Sequence, residues 1–291
     1  MRVLVTGSTG FLGFHVVPEL VARGHLVVGA ARQAARAGDL AADLAEPGAA
    51  AALVARAAPD ALVHLAAMAD IAPCQADPQR ARCVNALAAG ELAAACAARG
   101  ARLLHVSTDQ VFDGTRAGWR EEDLPAPLHE YGRSKLAGER AVLAACTTAL
   151  VLRPGLVTGR APPGRRSASS VLLDMLARGA RPRLFTDEWR SPVAAADVAR
   201  ALAELLERDA AWAPGPLPGA PGRVLHLGGP ERLSRLELGR REALAAGFDA
   251  GVCEAGTRAA AGLAGERPAD LSLDSRRLVA LLGWTPRTLA G

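Results

Sequence analysis

The sequence predicts an α/β fold with a doubly wound parallel sheet and a smaller C-terminal region. Short apolar, β-branched runs alternate with amphipathic helical patterns along most of the chain, as expected when crossover helices join parallel strands. The 291 residues are enough for one large domain or two modest ones. Half of the residues are hydrophobic and 3% are aromatic, a composition that fits a globular protein with many helices.

The charge and cysteine content exclude several kinds of protein. The net charge of +4 comes from scattered arginines, without the basic stripe and interleaved aromatics that would indicate nucleic-acid binding. No apolar stretch has membrane-spanning length and no signal-peptide pattern is visible, so we expect a cytoplasmic protein without a membrane partner. The five cysteines form no CxxC pair, so we expect buried reduced thiols and no metal site.

A glycine-rich turn follows the first predicted strand, whose core is Val3–Val5. Gly7 would permit a sharp turn, and Gly10 would let backbone N–H groups approach a diphosphate. Gly13 would let the following helix, whose apolar pattern runs to Val21, pack close to the strand. A diphosphate would lie at the N-terminus of this helix, where unpaired N–H groups favour an anion. The alternative is a plain strand-to-helix connection.

The turn after the second predicted strand, His25–Ala30, bears on the choice of cofactor. Enzymes that prefer NAD carry a carboxylate there, which accepts hydrogen bonds from ribose hydroxyls, whereas an arginine suits a 2′-phosphate. This sequence has Ala31 and then Arg32. We therefore expect NADP(H) to be preferred over NAD(H), with an ordinary solvated arginine as the alternative.

The rest of the chain continues the alternation. We predict further strands at 61–67, 102–107, 149–155 and 224–229, and helices at 79–99, 170–178, 197–208 and 233–246. The segment Pro214–Gly222 is dense in proline and glycine, which predicts a surface loop. His64 lies within an apolar strand, so we interpret it as a core histidine and not as a catalyst.

Two polar segments carry the candidate chemistry. Residues 107–114 follow a strand at its carboxyl end, where ligands of open α/β sheets bind. Tyr131, the one tyrosine of the chain, lies four residues before Lys135, so a helix places both side chains on one face. We expect the ammonium group to lower the pKa of the phenol. Tyr131 would then exchange a proton with a substrate oxygen that Thr108 also holds, and Lys135 would donate to the nicotinamide ribose.

Together these segments resemble a known superfamily. The set TGSTGFLG, HLAA, STDQVFDG, YGRSK and RPG resembles the extended short-chain dehydrogenases/reductases, and is most similar to their dTDP-4-dehydrorhamnose reductase branch. The resemblance implies a Rossmann domain over 1–160 that binds NADP(H), with strand and helix returns near 186–212 and 223–247. It also implies a smaller substrate-binding region, formed by 161–185 and 248–291, that closes over a nucleotide-sugar.

The candidate site residues fall into three groups. The catalytic candidates are Thr108, Tyr131 and Lys135. The candidates for cofactor binding are Gly7, Thr9, Gly10, Phe11, Leu12, Gly13, Arg32, Asp43, Leu44, Leu65, Ala66, Ala67, Tyr131, Lys135 and Pro154. The substrate candidates are Met68, Asp109, Gln110, Leu156 and Arg190. Arg165, Arg166 and Arg190 would either meet a substrate diphosphate or lie in solvent.

Two departures from the branch concern the sugar pocket, where Gln110 and Leu156 replace a tyrosine and a tryptophan. A keto substrate other than dTDP-4-dehydrorhamnose is therefore an alternative. Gln110 also lacks the carboxylate that related 4,6-dehydratases use as a base. The resemblance implies NADPH-dependent reduction of a keto group, first of all on a nucleotide-linked 4-keto-6-deoxy sugar, with Tyr131 as general acid.

Two alternatives remain. One is an NADP-binding, non-catalytic regulatory subunit similar to the β subunit of methionine adenosyltransferase. The other is a sugar-nucleotide epimerase, although the acidic ribose anchor that goes with a permanently bound NAD is missing. A homodimer is also left open.

Overall fold

The computed structural model describes residues 1–34, 36–213, 215, 217 and 222–289. Its strands are β1 (Arg2–Thr6), β2 (Leu26–Ala31), β3 (Leu40–Ala41), β4 (Ala61–His64), β5 (Arg102–Val106), β6 (Leu150–Pro154), β7 (Val157–Thr158), β8 (Arg183–Phe185), β9 (Trp189–Arg190), β10 (Val193–Ala194), β11 (Val224–Leu227), β12 (Leu233–Ser234), β13 (Glu254–Gly256) and β14 (Asp270–Leu271). Its α-helices are α1 (Phe11–Ala22), α2 (Ala49–Ala57), α3 (Ile71–Ala76), α4 (Pro78–Arg82), α5 (Ala88–Arg99), α6 (Glu130–Ala145), α7 (Ala168–Ala177), α8 (Ala195–Glu207), α9 (Arg235–Ala245) and α10 (Arg276–Leu282).

Seven strands form a parallel sheet in the order β11-β6-β5-β4-β1-β2-β3. The chain leaves β1 for β2 on one side and later returns to place β4 on the other side. The direction of winding therefore reverses between β1 and β4. In open α/β sheets, ligands bind outside the carboxyl ends of the two strands at such a reversal. The predicted doubly wound sheet is confirmed, and it locates the ligand site.

Helices cover both faces of this sheet, because successive strand residues point to opposite faces. Val3 and Val5 lie in a buried cluster with α1, α8 and α10. Leu4, between them in sequence, lies in a second cluster with α2, α5 and α6. Val21, which the apolar pattern of α1 includes, is 52% exposed, so the buried stripe of that helix ends at Leu20.

A smaller set of elements lies outside the main sheet. Strands β8 and β13 pair in parallel, β9 pairs with both β12 and β14, and β7 pairs with β10. Helices α7 and α9 share a buried cluster that includes Leu172 and Leu236. The sequence places 223–247 with the main sheet, but of this segment only β11 joins it, while α9 packs on α7. The two-domain division itself stays a prediction.

Several short elements differ from the sequence expectations. The predicted helix over 79–99 is interrupted by a π-helical turn at Cys83–Leu87. Helices α3 and α10 and strand β3 are too short for a periodic pattern to reveal them. Most of the predicted loop 214–222 lies outside the described residues. In the part of the chain that the structure describes, no helix is long and apolar enough to cross a membrane.

Candidate active site

A groove of 760 Å³ lies at the carboxyl ends of β1 and β4, where the winding of the sheet reverses. Most of the predicted cofactor residues line it. These are Gly7, Thr9, Gly10, Phe11, Leu12, Gly13, Arg32, Asp43, Leu44, Leu65, Ala66 and Ala67. Met68, which we predicted on the substrate side, lines it as well. Tyr131, Lys135 and Pro154 are not among its lining residues.

Glycines bring the backbone of three segments together at this groove. Gly7 has a φ of +70°, and a Cβ there would lie 2.8 Å from the backbone nitrogen of Ala66. A Cβ on Gly13 would lie 2.4 Å from the carbonyl oxygen of Gly7. Helix α1 begins after Gly10 with no side-chain cap and no acidic residue in its first turn. Its N-terminal N–H groups therefore remain available to an anionic group such as a diphosphate.

Arginines give the groove a positive rim. Arg32 is exposed at the end of β2. Asp43 accepts a hydrogen bond of 2.8 Å from Nη2 of Arg80. A backbone hydrogen bond from Ala45, followed by the nearby charges of Arg80 and Arg32, lowers the pKa of Asp43. The one carboxylate among the described lining residues is thus paired, while Arg32 faces the groove without an ion pair of this kind.

Arg165 and Arg166 also line this groove. Arg165 donates from Nε to the carbonyl oxygen of Thr9 at 3.0 Å and from Nη2 to its hydroxyl oxygen at 3.2 Å. We expected Arg165, Arg166 and Arg190 either to meet a substrate diphosphate or to lie in solvent; the structure separates Arg190 from the other two and places it neither in this groove nor in solvent. Arg190 is buried elsewhere, on β9, where it pairs with Glu188 at 3.0 Å.

The catalytic candidates come together at the carboxyl end of β5. Thr108 follows this strand, and its hydroxyl lies near enough to the phenol of Tyr131 to influence the pKa of that phenol. Lys135, one turn further along α6, donates from Nζ to the carbonyl oxygen of Val106 at 2.8 Å. The two α6 side chains are therefore held against the same strand end that carries Thr108.

Lys135 is fully buried among histidines that the sequence analysis did not connect with it. Its Nζ lies 3.3 Å from Nε2 of His105, and the ring of His105 lies 5.1 Å from that of His64. His64 is hydrogen-bonded from Nδ1 to the hydroxyl of Thr6 at 2.6 Å, which fits its predicted role in the core. Burial lowers the pKa of Lys135 to about 8 and that of His64 to about 3.

The pKa of Tyr131 is raised, which corrects our expectation that Lys135 lowers it. Desolvation of the phenol is the main cause, and the nearby hydroxyl of Thr108 opposes it only in part. Lys135 instead directs its ammonium group at Val106 and His105. The phenol of Tyr131 therefore stays protonated near neutral pH, as a proton donor requires.

Asp109 follows Thr108 and is buried. Its Oδ1 accepts a hydrogen bond of 3.1 Å from Thr108, whereas its Oδ2 has no partner within the described part of the chain. Burial raises the pKa of Asp109 to about 6, against the attraction of Arg190. A buried oxygen of this kind calls for a hydrogen-bond donor from outside the chain.

His129 fixes the orientation of Gln110. The backbone N–H of Gly132 donates to Nδ1 of His129 at 3.1 Å, so the proton of the neutral ring must be on Nε2. Nε2 therefore donates to Oε1 of Gln110, at 2.9 Å. Burial, and then Arg133, lower the pKa of His129 and keep the ring neutral. The amide N–H groups of Gln110 remain as donors.

Asn85 connects the groove to the catalytic helix, a role that the sequence analysis missed. It lies in the π-helical turn and is fully buried. Its Oδ1 accepts from the backbone of Met68 at 2.8 Å, and its Nδ2 donates to the hydroxyl of Ser134 at 2.9 Å. A polar residue within an apolar helix pattern was the only signal that could have revealed it.

A buried ion pair between α6 and β6 contacts the residue that follows β5. Glu139 of α6 accepts two hydrogen bonds from Arg153 of β6, at 2.9 and 2.6 Å, and one from Ser107. Pro154 is the last residue of this strand and Leu156 follows it, where the carbonyl oxygen of Leu156 accepts a hydrogen bond from the backbone N–H of Val193. Leu156 is therefore placed beyond the end of β6, outside the described groove.

Comparison with known proteins reveals relatives along the whole chain. The family model described as RmlD substrate binding domain matches residues 1–290. A probable low-salt glycan biosynthesis reductase from Haloferax volcanii is 33% identical over 299 residues, which cover 99% of this chain and 95% of that protein. A dTDP-4-dehydrorhamnose reductase from Mycobacterium tuberculosis is 34% identical over 246 residues, 82% of this chain and 73% of that protein.

A third relative is the β subunit of methionine adenosyltransferase 2 from Pongo abelii. It is 37% identical over 209 residues, 71% of this chain, but the match spans only 62% of that protein.

Solved structures agree on the fold. A dTDP-4-dehydrorhamnose reductase from Bacillus anthracis in complex with NADP has a TM-score of 0.83 at 22% identity, covering 97% of this chain and 93% of that one. At this identity the likeness concerns the fold alone. The structure of MoeE5 with UDP-glucuronic acid and NAD has a TM-score of 0.78 at 28% identity, covering 99% and 94%.

Proposed function

Because the chain belongs to the RmlD substrate binding domain family and is an NAD(P)-dependent oxidoreductase, we propose that it reduces a nucleotide-linked 4-keto-6-deoxy sugar with NADPH. The observation that carries this proposal is the placement of Thr108, Tyr131 and Lys135 at one strand end. This strand end is joined through Asn85 and Met68 to the groove whose glycine-rich turn suits a dinucleotide.

The groove residues would hold the cofactor. The N–H groups at the start of α1 suit its diphosphate, and the small side chains of Ala66 and Ala67 leave room beside β4. Arg32 suits a 2′-phosphate, which supports NADPH over NADH. When bound, the reduced nicotinamide supplies a hydride to a carbonyl carbon.

The chain's own residues would handle the proton. Tyr131 donates its phenolic proton to the carbonyl oxygen as negative charge develops there. The hydroxyl of Thr108, which donates to Asp109 in this structure, would turn to donate its hydrogen bond to the same oxygen. The raised pKa of Tyr131 keeps this proton in place until the substrate is reduced. Lys135 supplies a buried positive charge close to the strand end.

The sugar would meet Asp109 and Gln110. The unpaired Oδ2 of Asp109 can accept from a sugar hydroxyl, and the amide N–H groups of Gln110 can donate to an oxygen. Neither group offers an aromatic face. A keto sugar that is held by hydrogen bonds and not by stacking fits these side chains best.

The test follows nicotinamide absorbance while the purified protein is mixed with NADPH and a panel of dTDP- and UDP-linked 4-keto sugars. We expect oxidation of NADPH with at least one of them. Tyr131→Phe should lower kcat by about a thousandfold, because it removes the general acid, while Kd for NADPH stays within about twofold. A variant with near wild-type kcat would contradict the role of Tyr131.

The 37% identity to a methionine adenosyltransferase β subunit favours a second candidate, a regulatory subunit that binds NADP. That candidate predicts stable association with a catalytic methionine adenosyltransferase subunit of the same organism and no oxidation of NADPH by any keto sugar. Size-exclusion chromatography of the two proteins mixed, together with the absorbance assay, separates the two proposals.

A further inference from the structure

A loop from outside the strands and turns around the cofactor groove reaches into it. This loop, residues 160–166, follows β7 and precedes α7. Its base is closed by a hydrogen bond of 2.8 Å from the hydroxyl of Ser167 to the carbonyl oxygen of Gly159. His15 of α1 donates from Nε2 to the carbonyl oxygen of Arg160 at 2.9 Å. The loop is therefore attached to the helix whose N-terminus faces the groove.

Arg165 holds the loop directly on the glycine-rich turn. Its Nε and Nη2 donate to the carbonyl and hydroxyl oxygens of Thr9. A guanidinium group has five N–H donors, so three remain for another partner. The hydroxyl of Thr9 accepts from Arg165 and keeps its own hydrogen for donation. Both groups therefore present donors beside the N-terminus of α1.

The charge of the groove needs an anionic partner. Among its described lining residues are four arginines (Arg32, Arg80, Arg165 and Arg166) and one carboxylate, Asp43, which pairs with Arg80. Arg32 lies at the end of β2, whereas Arg165 lies on Thr9 of the glycine-rich turn. The two arginines are thus at different places along the groove, which suits two different phosphate groups.

We propose that Arg165 and Arg166 bind the diphosphate of the nicotinamide cofactor together with the glycine-rich turn, so that loop 160–166 closes the cofactor site. This proposal rests on the proposed function, since it requires that the groove binds a dinucleotide. The forked guanidinium group suits phosphate oxygens because it donates parallel hydrogen bonds. The loop leads directly into α7.

The test measures Kd for NADPH and for NADH by nicotinamide fluorescence, at one fixed salt concentration, in wild-type protein and in Arg165→Ala and Arg166→Ala. Both cofactors carry the diphosphate, whereas only NADPH carries a 2′-phosphate. We expect each variant to bind both cofactors about tenfold more weakly, by the same factor. Arg160→Ala is the matched control, because Arg160 is exposed on the same loop and its side chain does not line the groove. This control should keep wild-type affinity.

Thermal unfolding without cofactor checks that the variants remain folded. The proposal is overturned for either arginine whose variant keeps wild-type affinity for both cofactors, or loses affinity for NADPH alone. A wild-type protein that binds neither cofactor would overturn the proposed function itself. Wild-type binding with unaffected variants would overturn only the role of the loop.

Discussion

The cofactor groove and the substrate side of the candidate site are assembled in different ways. Much of the groove lining comes from the turns that directly follow β1, β2 and β4, where glycines and alanines leave the backbone accessible. Arginines of α4 and of loop 160–166 complete it. On the substrate side, Glu188 accepts hydrogen bonds from Arg190, two residues away, and from Arg267, which is 79 residues away in sequence. Asp109, from a third segment, feels the charge of Arg190.

This difference explains which features local sequence can specify. A turn of small residues after a strand is encoded within about ten residues. A buried charge network depends on side chains that meet only in the folded chain. The cofactor can therefore be inferred from motifs, whereas the sugar has to be inferred from the charges and donors around Asp109 and Gln110.

The largest effect on the free energy of unfolding is expected from breaking the buried ion pairs of Glu188 with Arg190 and Arg267. Glu188→Ala leaves the guanidinium group of Arg190 buried without its carboxylate, which should lower the free energy of unfolding by about 3–5 kcal/mol. Urea denaturation measures this change. Glu254→Ala is the control, since it breaks an exposed pair with Arg181 and should cost less than about 1 kcal/mol. Equal costs for the two variants would contradict this account.

The groove should be disturbed by a single methyl group. Gly13→Ala places a Cβ 2.4 Å from the carbonyl oxygen of Gly7, so the glycine-rich turn must shift. We expect a loss of about 1–3 kcal/mol in the free energy of unfolding and clearly weaker NADPH binding in titrations. Gly265→Ala, where a Cβ meets no atom within 4 Å, should change neither quantity. Unchanged NADPH affinity in Gly13→Ala would mean that this turn does not hold the cofactor.

Arg32 should determine the choice between the two cofactors. Arg32→Ala removes the exposed guanidinium group at the end of β2 and should weaken NADPH binding by about tenfold, with Kd for NADH unchanged. Nicotinamide fluorescence titrations with both cofactors measure this directly. If the affinities for NADPH and NADH fall together, Arg32 does not recognise the 2′-phosphate.

The smallest effect is a pH dependence. Burial lowers the pKa of Lys135 to about 8, so its charge is lost as the pH rises through 8, and kcat at pH 8 should be about half its value at pH 7. Tyr131 stays protonated over this range because its pKa is raised. Since the unfolded pKa of Lys135 is higher, its buried charge destabilises the fold below pH 8, and this penalty disappears towards pH 10.5.

The control is Lys135→Arg, whose guanidinium group stays charged throughout. Its kcat should be lower overall but should not fall between pH 7 and 9. The same decline in both proteins would assign the titration to another group.

The sequence was sufficient for the parallel sheet and for the groove, because each depends on local patterns. The alternation of apolar runs predicts the strands, and Gly7, Gly10 and Gly13 predict the turn by their spacing. The sequence was not sufficient for side chains whose behaviour depends on residues far away along the chain. The prediction that Lys135 lowers the pKa of Tyr131 was wrong. Spacing along a helix shows which side chains share a face, but it does not show that the ammonium group contacts Val106 and His105.

Two further misses have the same origin. Nothing in the order of the residues indicates that His129 orients Gln110, since this depends on a ring that caps α6 and also reaches the turn after β5. Arg165 lies 156 residues from Thr9, so its position at the glycine-rich turn becomes visible only in the folded chain. The sequence motifs therefore pointed to the candidate residues, but they did not reveal the charged and polar groups that surround these residues in the folded chain.

The measurement that tests the central claim most directly follows the hydride itself. Wild-type protein is incubated with a nucleotide-linked 4-keto sugar and NADPH that carries deuterium at C4 of the nicotinamide, prepared separately for each face. We expect one deuterium at the former carbonyl carbon of the sugar product, from one of the two forms, detected by mass spectrometry and NMR. A product without deuterium from either form, or NADPH that remains unconsumed with every sugar of the panel, would contradict reduction of a keto sugar at this site.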